Sequence, residues 1–322
     1  VNNGYSNVFN PAMSINGLFL GTALSGPESE EASTGLKVQE VELQFITNVD
    51  PYFSANLILA MEGGEGLEVE EGFLQVTPQP ANLSFRFGKM KVPFGRENYL
   101  HTHALPFIDK SLVSPAVLGE EGLGEVGLEV SWLAPLPFYS LVYASALNGD
   151  NENLFNSAQG KDLAYFGGLK SLFDLTDDST LEAGLSYAAG KNSDDKVSQA
   201  AGAHLIYKWK PARTSTSRSA VAVLEALYSD RPEVEGSEAE LQGKLAGAYG
   251  SLQWQLARRW YVAGRFDYLG LNLASSEATK RESVIFTLAP TEFSALRLQG
   301  SATQPPEGGD PVYEAFFQVN FT

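Results

Sequence analysis

A chain of 322 residues that is 43% hydrophobic and 19% charged is long enough to bury a large core or to close a large barrel as one unit. It has no cysteine, which excludes disulfide frameworks, thiolate metal sites and cysteine nucleophiles and fits an exported bacterial protein. The formal charge of −17 argues against a nucleic-acid partner, since nothing here neutralises phosphates in bulk, and makes cations the natural mobile partners.

No apolar run reaches the roughly 18 residues that a membrane-crossing helix needs. The start, Val1-Asn-Asn-Gly-Tyr5, lacks the basic and apolar regions of a signal peptide, so the expectation is a mature form. Val1–Ala12 reads as a polar leader on the periplasmic side or in a barrel mouth, with Asn10-Pro11 near its end.

Met13–Leu24 is the first candidate strand, followed by the polar loop Ser25–Thr34. In strand two, Val41, Leu43 and Phe45 occupy one face and Glu40, Glu42 and Gln44 the other, a complete period-two segregation. A turn at Asn48-Val-Asp-Pro51 follows. Strand three sets Phe53, Ala55, Leu57, Leu59 and Met61 outward against Ser54, Asn56 and Glu62, and turns at Gly63-Gly-Glu-Gly66. Strand four, Leu67–Thr77, changes phase between Leu67/Val69 and Leu74/Val76, and a bulge at Gly72 is expected to absorb the change. After Pro78-Gln-Pro80, strand five alternates Leu83, Phe85 and Phe87 with Ser84, Arg86 and Gly88.

The alternation then stops over residues 92–124, in a chain whose other connections are mostly short. A long connection bearing titratable groups is a functional or disordered segment, and the expectation is that it folds into the lumen of a barrel. Beyond it, strand six presents Val126, Leu128, Val130 and Trp132 against Gly127, Glu129 and Ser131, and turns at Ala134-Pro-Leu-Pro137. Strand seven offers Tyr139, Leu141 and Tyr143, and a long polar loop, Asn148–Asp162, leads to strand eight, Leu163–Phe173. Strand nine opposes Leu181, Ala183, Leu185 and Tyr187 to Glu182, Gly184 and Ser186. Strand ten opposes Ala203, Leu205, Tyr207 and Trp209 to His204, Lys208 and Lys210. Strands eleven (Ala220–Tyr228), twelve (Lys244–Leu256), thirteen (Trp260–Tyr268, with Arg265 and Asp267 inward), fourteen (Glu282–Ala289), fifteen (Leu296 and Leu298 opposite Arg297 and Gln299) and sixteen (Tyr313–Phe321) complete the series.

The count of sixteen, with short turns after most even-numbered strands and longer polar loops after most odd ones, predicts an all-β fold: a transmembrane antiparallel β-barrel with both termini on the periplasmic side. Gly63–Gly66 and the longer Pro211–Arg218 are exceptions, and fourteen or eighteen strands remain alternatives. A soluble all-β protein is the competing reading. Against it, nearly every strand keeps an apolar face with aromatic residues near its ends, while the opposing faces are too polar for a dry core.

On this pattern the pore-lining candidates are Glu40, Glu42, Glu62, Glu68, Glu70, Arg86, Glu129, Glu182, Lys208, Arg265, Asp267 and Arg297. Separated acidic and basic walls would set up a transverse field across a wet lumen; equally, a charge faces the lumen simply because it cannot face lipid. In the long connection, Arg96, Glu97, His101, His103, Asp109 and Lys110 are constriction candidates. His101-Thr-His103 has a metal-binding spacing, but two loop histidines fall short of the three or four ligands of a stable zinc site, so no metal and no cofactor are expected.

The stretch Gly88-Lys-Met-Lys-Val-Pro-Phe-Gly95 resembles the strand end that precedes the third extracellular loop in the phosphate-selective porin O and P type families. Asn48-Val-Asp-Pro-Tyr-Phe53, Val69-Glu-Glu-Gly-Phe73 and Trp132-Leu-Ala-Pro135 extend the similarity to a poorly characterised group of Gram-negative outer-membrane proteins. The resemblance covers about residues 10–135, and beyond that only the barrel pattern. It implies a sixteen-stranded, trimeric porin whose third loop narrows the channel. Two departures stand out: the acidic balance does not suit phosphate selectivity, and the chain ends Phe321-Thr322 where an assembly signal would end on an aromatic residue.

These features predict an outer-membrane porin passing ions and small polar solutes by diffusion, with a preference for cations. Its partners would be membrane lipid, lipopolysaccharide and further copies of the chain. A structural or adhesive barrel with a plugged lumen, or a substrate-specific channel, are the alternatives. Enzyme readings fare poorly: His204 is the sole strand histidine and has no serine of matching orientation, and Gly63–Gly66 lacks the lysine and helix of a phosphate loop.

Overall fold

The computed structural model describes residues 11–25, 33–64, 66–151, 153–157, 162–211, 217–232, 243–270, 278–306 and 309–322, with side chains for all of these except 77–80. The chain builds β1 (Ala12–Leu24), β2 (Gly35–Asn48), β3 (Phe53–Glu62), β4 (Glu68–Gln79), β5 (Leu83–Lys91), β6 (Gly124–Leu133), β7 (Tyr139–Leu147) and β8 (Ala164–Thr176). It continues with β9 (Ser179–Lys191), β10 (Val197–Trp209), β11 (Ala220–Arg231), β12 (Gly243–Ala257), β13 (Trp260–Leu269), β14 (Thr279–Thr291), β15 (Ser294–Gln304) and β16 (Val312–Phe321). A short helix, α1 (Val113–Leu118), lies in the connection between β5 and β6.

Each strand pairs antiparallel with its neighbours in sequence, and β1 pairs with β16 from Gly17 opposite Phe321 to Leu24 opposite Glu314, so the sheet is a closed barrel. Closure leaves no edge of unpaired amides, the condition for strands to cross lipid. Of the expected leader, only Pro11 and Ala12 fall among the described residues, and Ala12 already opens β1.

The outer face carries large exposed apolar side chains around the ring, among them Phe87, Leu128, Leu185, Leu224, Phe266 and Phe286. At about 25 cal/mol per Å2 of apolar surface, such a belt is unfavourable in water and favourable in lipid. All four tryptophans stand at the short-turn end: Trp132 on β6, Trp209 on β10, Trp254 on β12 and Trp260 on β13. The Trp209 and Trp254 rings stack with centroids 5.7 Å apart. This is an interfacial aromatic belt on one rim.

Of the register shifts between strands, two set the inner face of β2 and β4. Between β3 and β4, Ile58 faces Glu71 and Leu59 faces Val69, so the extra residue is Glu70 rather than Gly72, where the phase change alone placed the bulge. Between β1 and β2, Leu18 faces Glu40 and Phe19 faces Val38, which makes Gln39 extra. A bulge sets two consecutive side chains on the same side; Gln39 and Glu40, and Glu70 and Glu71, therefore all point inward. On β7 the alternation alone does not choose a side. Ser145 faces Glu129, whose carboxylate accepts from Ser145 Oγ at 3.4 Å, and the register turns Tyr139, Leu141 and Tyr143 to the lumen.

Gly88 on β5 has φ +135°, and a Cβ there would run into the backbone of Gly72 and Phe73 on β4. Gly88→Ala is expected to destabilise the barrel by roughly 1–3 kcal/mol, read as a lower midpoint of urea unfolding in detergent, while Gly264→Ala, whose Cβ would find only the Ser283 carbonyl at 4.0 Å, should leave that midpoint near wild type.

Candidate functional site

The connection from Val92 to Leu123 enters the barrel and crosses it. Its base is closed like a continued ladder, Val92 N donating to the Leu123 carbonyl at 3.1 Å. Asn98 spans the gap, its Nδ2 donating to the carbonyls of Val92 (2.8 Å) and Leu123 (3.0 Å) and its Oδ1 accepting from Leu123 N at 2.7 Å. Phe94 is fully buried in an apolar cluster with Val113, Val117 and Leu118 of the loop and Phe166, Ile206 and Leu227 of the wall. Gly95 then permits a close approach: with φ +61°, a Cβ there would collide with the Glu225 carboxylate. Its amide donates to Ser186 Oγ on β9 at 3.0 Å, and the amide of Arg96 donates to Glu225 Oε1 on β11 at 2.6 Å.

The far side of the loop is latched to β13–β15. β13 stands eight strands from β5 in a ring of sixteen (13 − 5 = 8), which is diametrically across the lumen. Asp109 accepts from Arg265 (2.9 Å), from Arg281 (3.0 Å) and from Gln299 Nε2 (2.8 Å). Arg265 also donates to Asp267 at 2.8 Å and to the carbonyls of Asp109 and Lys110, and lies over the Phe107 ring. Arg297 donates to the Leu105 carbonyl at 2.7 Å. Phe107 and Ile108 pack against Leu20, Ala263 and Ile285. Within the loop, Glu97 is buried and accepts from Ser111 N (3.0 Å) and Ser111 Oγ (2.6 Å). Burial pushes its carboxyl above the usual range, against the opposing pull of Arg265 and the Ser111 bonds.

Between these anchors, His101 and His103 meet the acidic wall of β2 and β4. His101 Nδ1 lies 3.0 Å from Glu70 Oε2 and 3.2 Å from Glu42 Oε2, its Nε2 lies 3.5 Å from Glu71, and His103 Nδ1 lies 3.5 Å from the same Glu42 oxygen. Burial works against charge on His101, but the carboxylates of Glu42, Glu70 and Glu71 around it outweigh burial and push its pKa up to about 11. Lys91 pairs with Glu70.

The other expected residues are distributed as follows. Arg86 pairs with Glu129 at 2.7 Å. Glu182 lies 3.4 Å from His204, and Lys208, two residues beyond the buried Ile206 on the same face, is exposed. Glu62 and Glu68 share the inward face with their partners Glu40 and Ala60 but are exposed at the end nearer the long loops. Arg96 reaches Tyr99 Oη at 2.9 Å, and Lys170 lies over the same ring. Lys110 gives its Nζ to the Glu120 carbonyl, and burial lowers its pKa. Lys170, Glu71, Glu225, Gln39, Asn98 and Ser111 take part without having been singled out from sequence. The first four lie on strands, where the alternation or a correctly placed bulge makes them legible; Asn98 and Ser111 sit in irregular backbone and carry no such signal.

No family model matches the chain. An uncharacterized protein of Aquifex aeolicus (strain VF5) is 30% identical over 89% of this chain and 68% of its own length. The chain belongs to the family of that Aquifex protein. Among solved structures, the chain resembles OprB of Pseudomonas putida (TM-score 0.68, 9% identity, 98% and 94% of the two chains covered) and an anion-selective porin of Comamonas acidovorans (0.62, 8%, 97% and 99%). It also resembles the outer membrane channel DcaP of Acinetobacter baumannii (0.60, 12%, 97% of each). At these identities the likeness establishes the fold, that of the Gram-negative outer-membrane porin barrel, and not the phosphate-selective type that Gly88–Gly95 resembles.

Asp109 is the hub of the far latch. Asp109→Ala leaves the buried Arg265 short of a partner, and removing one member of a buried pair costs about 3–5 kcal/mol. The variant is expected to unfold at lower denaturant and to give larger or noisier single-channel currents than wild type. Glu97 supplies a pH signature. Because its folded pKa is raised, the folded chain binds a proton there more tightly than the unfolded chain, and stability rises as pH falls through the raised value towards the ordinary carboxylate range. Glu97→Gln keeps an acceptor for Ser111 and removes the ionisation, so the slope of stability against pH in that window should flatten, as followed by urea midpoints across a pH series.

Proposed function

We propose that the protein is a passive diffusion channel of the Gram-negative outer membrane, narrowed by the loop of residues 92–123. The observation that carries this reading is the loop itself: it spans a closed sixteen-stranded barrel and is bonded to β9, β11 and β13–β15. A loop so anchored divides the lumen instead of capping it. Much of its surface is apolar and packed on the wall, and the remainder is bounded by polar groups: Arg86, Tyr143, Lys170, Glu182 and Lys208 on the strands, with Arg96 and Tyr99 on the loop.

Cation preference is supported by the net charge of −17 and by the field of Glu40, Glu42, Glu70 and Glu71, which lie at the loop beside His101 and Lys91 and outnumber them. Arg265, Arg281 and Arg297 do not oppose it, because their guanidinium groups are engaged in holding the loop. Arg96, Lys170 and Lys208 set the limit on that preference. A homotrimer is carried over from the porin resemblance, with lipid and lipopolysaccharide as the surroundings of the apolar belt.

Planar-bilayer recording with a salt gradient tests the reading. Stepwise conductance is expected, with a reversal potential of the sign that marks faster cations. Inserted protein without conductance would establish a plugged, structural barrel instead, and saturable block by one solute would establish a substrate-specific channel.

A further inference from the structure

The loop histidines lack further ligands only in sequence. In the fold, two carboxylate triads complete them: the ligand atoms of Glu42, Glu70 and His101 all lie within 4.8 Å of one another, and so do those of Glu40, Glu42 and His103. The two imidazoles present the same nitrogen, Nδ1, to one oxygen, Glu42 Oε2, at 3.2 and 3.5 Å, and Glu70 Oε2 is 3.0 Å from His101 Nδ1. Donors bound to one tetrahedral metal ion with bonds of about 2.0–2.1 Å sit about 3.3 Å apart. The His103–Glu42 spacing is close to that value, while His101 belongs to the other triad, its ring 6.0 Å from that of His103.

A second feature points the same way. Glu42 Oε2, His103 Nδ1 and Glu40 Oε1 are buried with no hydrogen-bond partner, although Glu42 is 1% exposed and Glu40 2%. Acceptors this deep are normally satisfied, and the exceptions call for an explanation. The histidine rings are 15% and 25% exposed, so the site can be reached from the water of the lumen.

We propose that His103, Glu42 and Glu40, with water in the fourth position, bind a divalent first-row transition-metal ion at the loop, inside the barrel. Imidazole nitrogen with carboxylate oxygen suits zinc, nickel, cobalt or copper(II), whereas magnesium and calcium take oxygen alone. Glu97, the loop carboxylate nearest the histidines in sequence, is not part of the set, being turned to Ser111. Coordination joins the loop to β2 as Asp109 joins it to β13–β15. The ion exchanges water ligands for the three protein donors; no other bond is made or broken.

The chain contains only three histidines, which makes the test clean. Purified protein in detergent is stripped with chelator, reloaded with zinc, dialysed and analysed for bound metal, with calorimetric titration of zinc and of magnesium. Expected are stoichiometric zinc with micromolar or tighter affinity and no competition by magnesium. His103→Ala should weaken binding by at least the roughly 10–100-fold that loss of even an outer-shell partner causes. His204→Ala, on β10 and outside the cluster, should bind as wild type does. No retained zinc, or unchanged affinity in His103→Ala, overturns the proposal. Should Glu42→Gln fail to fold, the two histidine variants decide the matter. Metal content is read independently of conductance, so failure here leaves the channel reading standing, and a silent bilayer leaves this one standing.

Discussion

Closure of the sheet through β1 and β16 is the constraint from which the remaining structure follows. In lipid an unpaired amide or carbonyl costs several kcal/mol, so strands can cross only as a ring. Once the ring is closed, the period of two divides every strand between lipid and lumen. Charged side chains on the lipid face are destabilising by about 2–4 kcal/mol at the bilayer midplane. The result is a polar interior that is not chosen residue by residue but imposed on all sixteen strands together. That interior would be a wide wet cavity if nothing filled it. The connection after β5 fills part of it.

What holds that connection is a mixture of two kinds of contact with different consequences. On the β7–β12 side the loop is docked by apolar burial, with Phe94, Val113, Val117 and Leu118 in one cluster with the wall. Such packing is strong but tolerant of small shifts. On the β13–β15 side a smaller apolar cluster around Phe107 and Ile108 is joined by buried ion pairs around Asp109, Arg265, Asp267 and Arg281. A buried ion pair adds little net stability over apolar side chains of the same shape, because desolvation offsets the attraction. It does fix direction: Arg265 meets two carboxylates and two carbonyls, and few loop positions satisfy all of them. The apolar side thus supplies adhesion and the ionic side supplies position.

The barrel itself is legible in the sequence because lipid and water enforce the alternation strand by strand. Val41, Leu43 and Phe45 against Glu40, Glu42 and Gln44 could hardly be arranged otherwise. The long connection is legible as an interruption, and its place in the strand count points it to the lumen. Its anchoring is not. Asp109 is separated from Arg265 by 156 positions and from Gln299 by 190, and nothing local in irregular backbone says which wall residue a loop carboxylate will meet. The bulge in β4 is half legible. The phase change is plain, but glycine at position 72 draws attention away from Glu70, although an acid in a wet lumen fills the extra position as readily as a glycine does.

That misplaced bulge matters most where the loop meets the acidic wall. With Gly72 as the extra residue, Glu71 would face lipid and a single acid of β4 would face the histidines. With Glu70 as the extra residue, both acids face inward; the matching bulge at Gln39 adds an amide that accepts from Gln318 and donates to the Ile108 carbonyl. The two bulges flank Glu42, so that β2 and β4 together crowd Glu40, Glu42, Glu70 and Glu71 around His101 and His103, with Lys91 as the nearest lysine. Like charges at this density are unfavourable unless something positive is held among them. The buried oxygens of Glu40 and Glu42 that find no hydrogen-bond partner mark where that need is unmet. A site that reads as two histidines without partners in one dimension is therefore, in three, an anionic basket with the histidines as its lid.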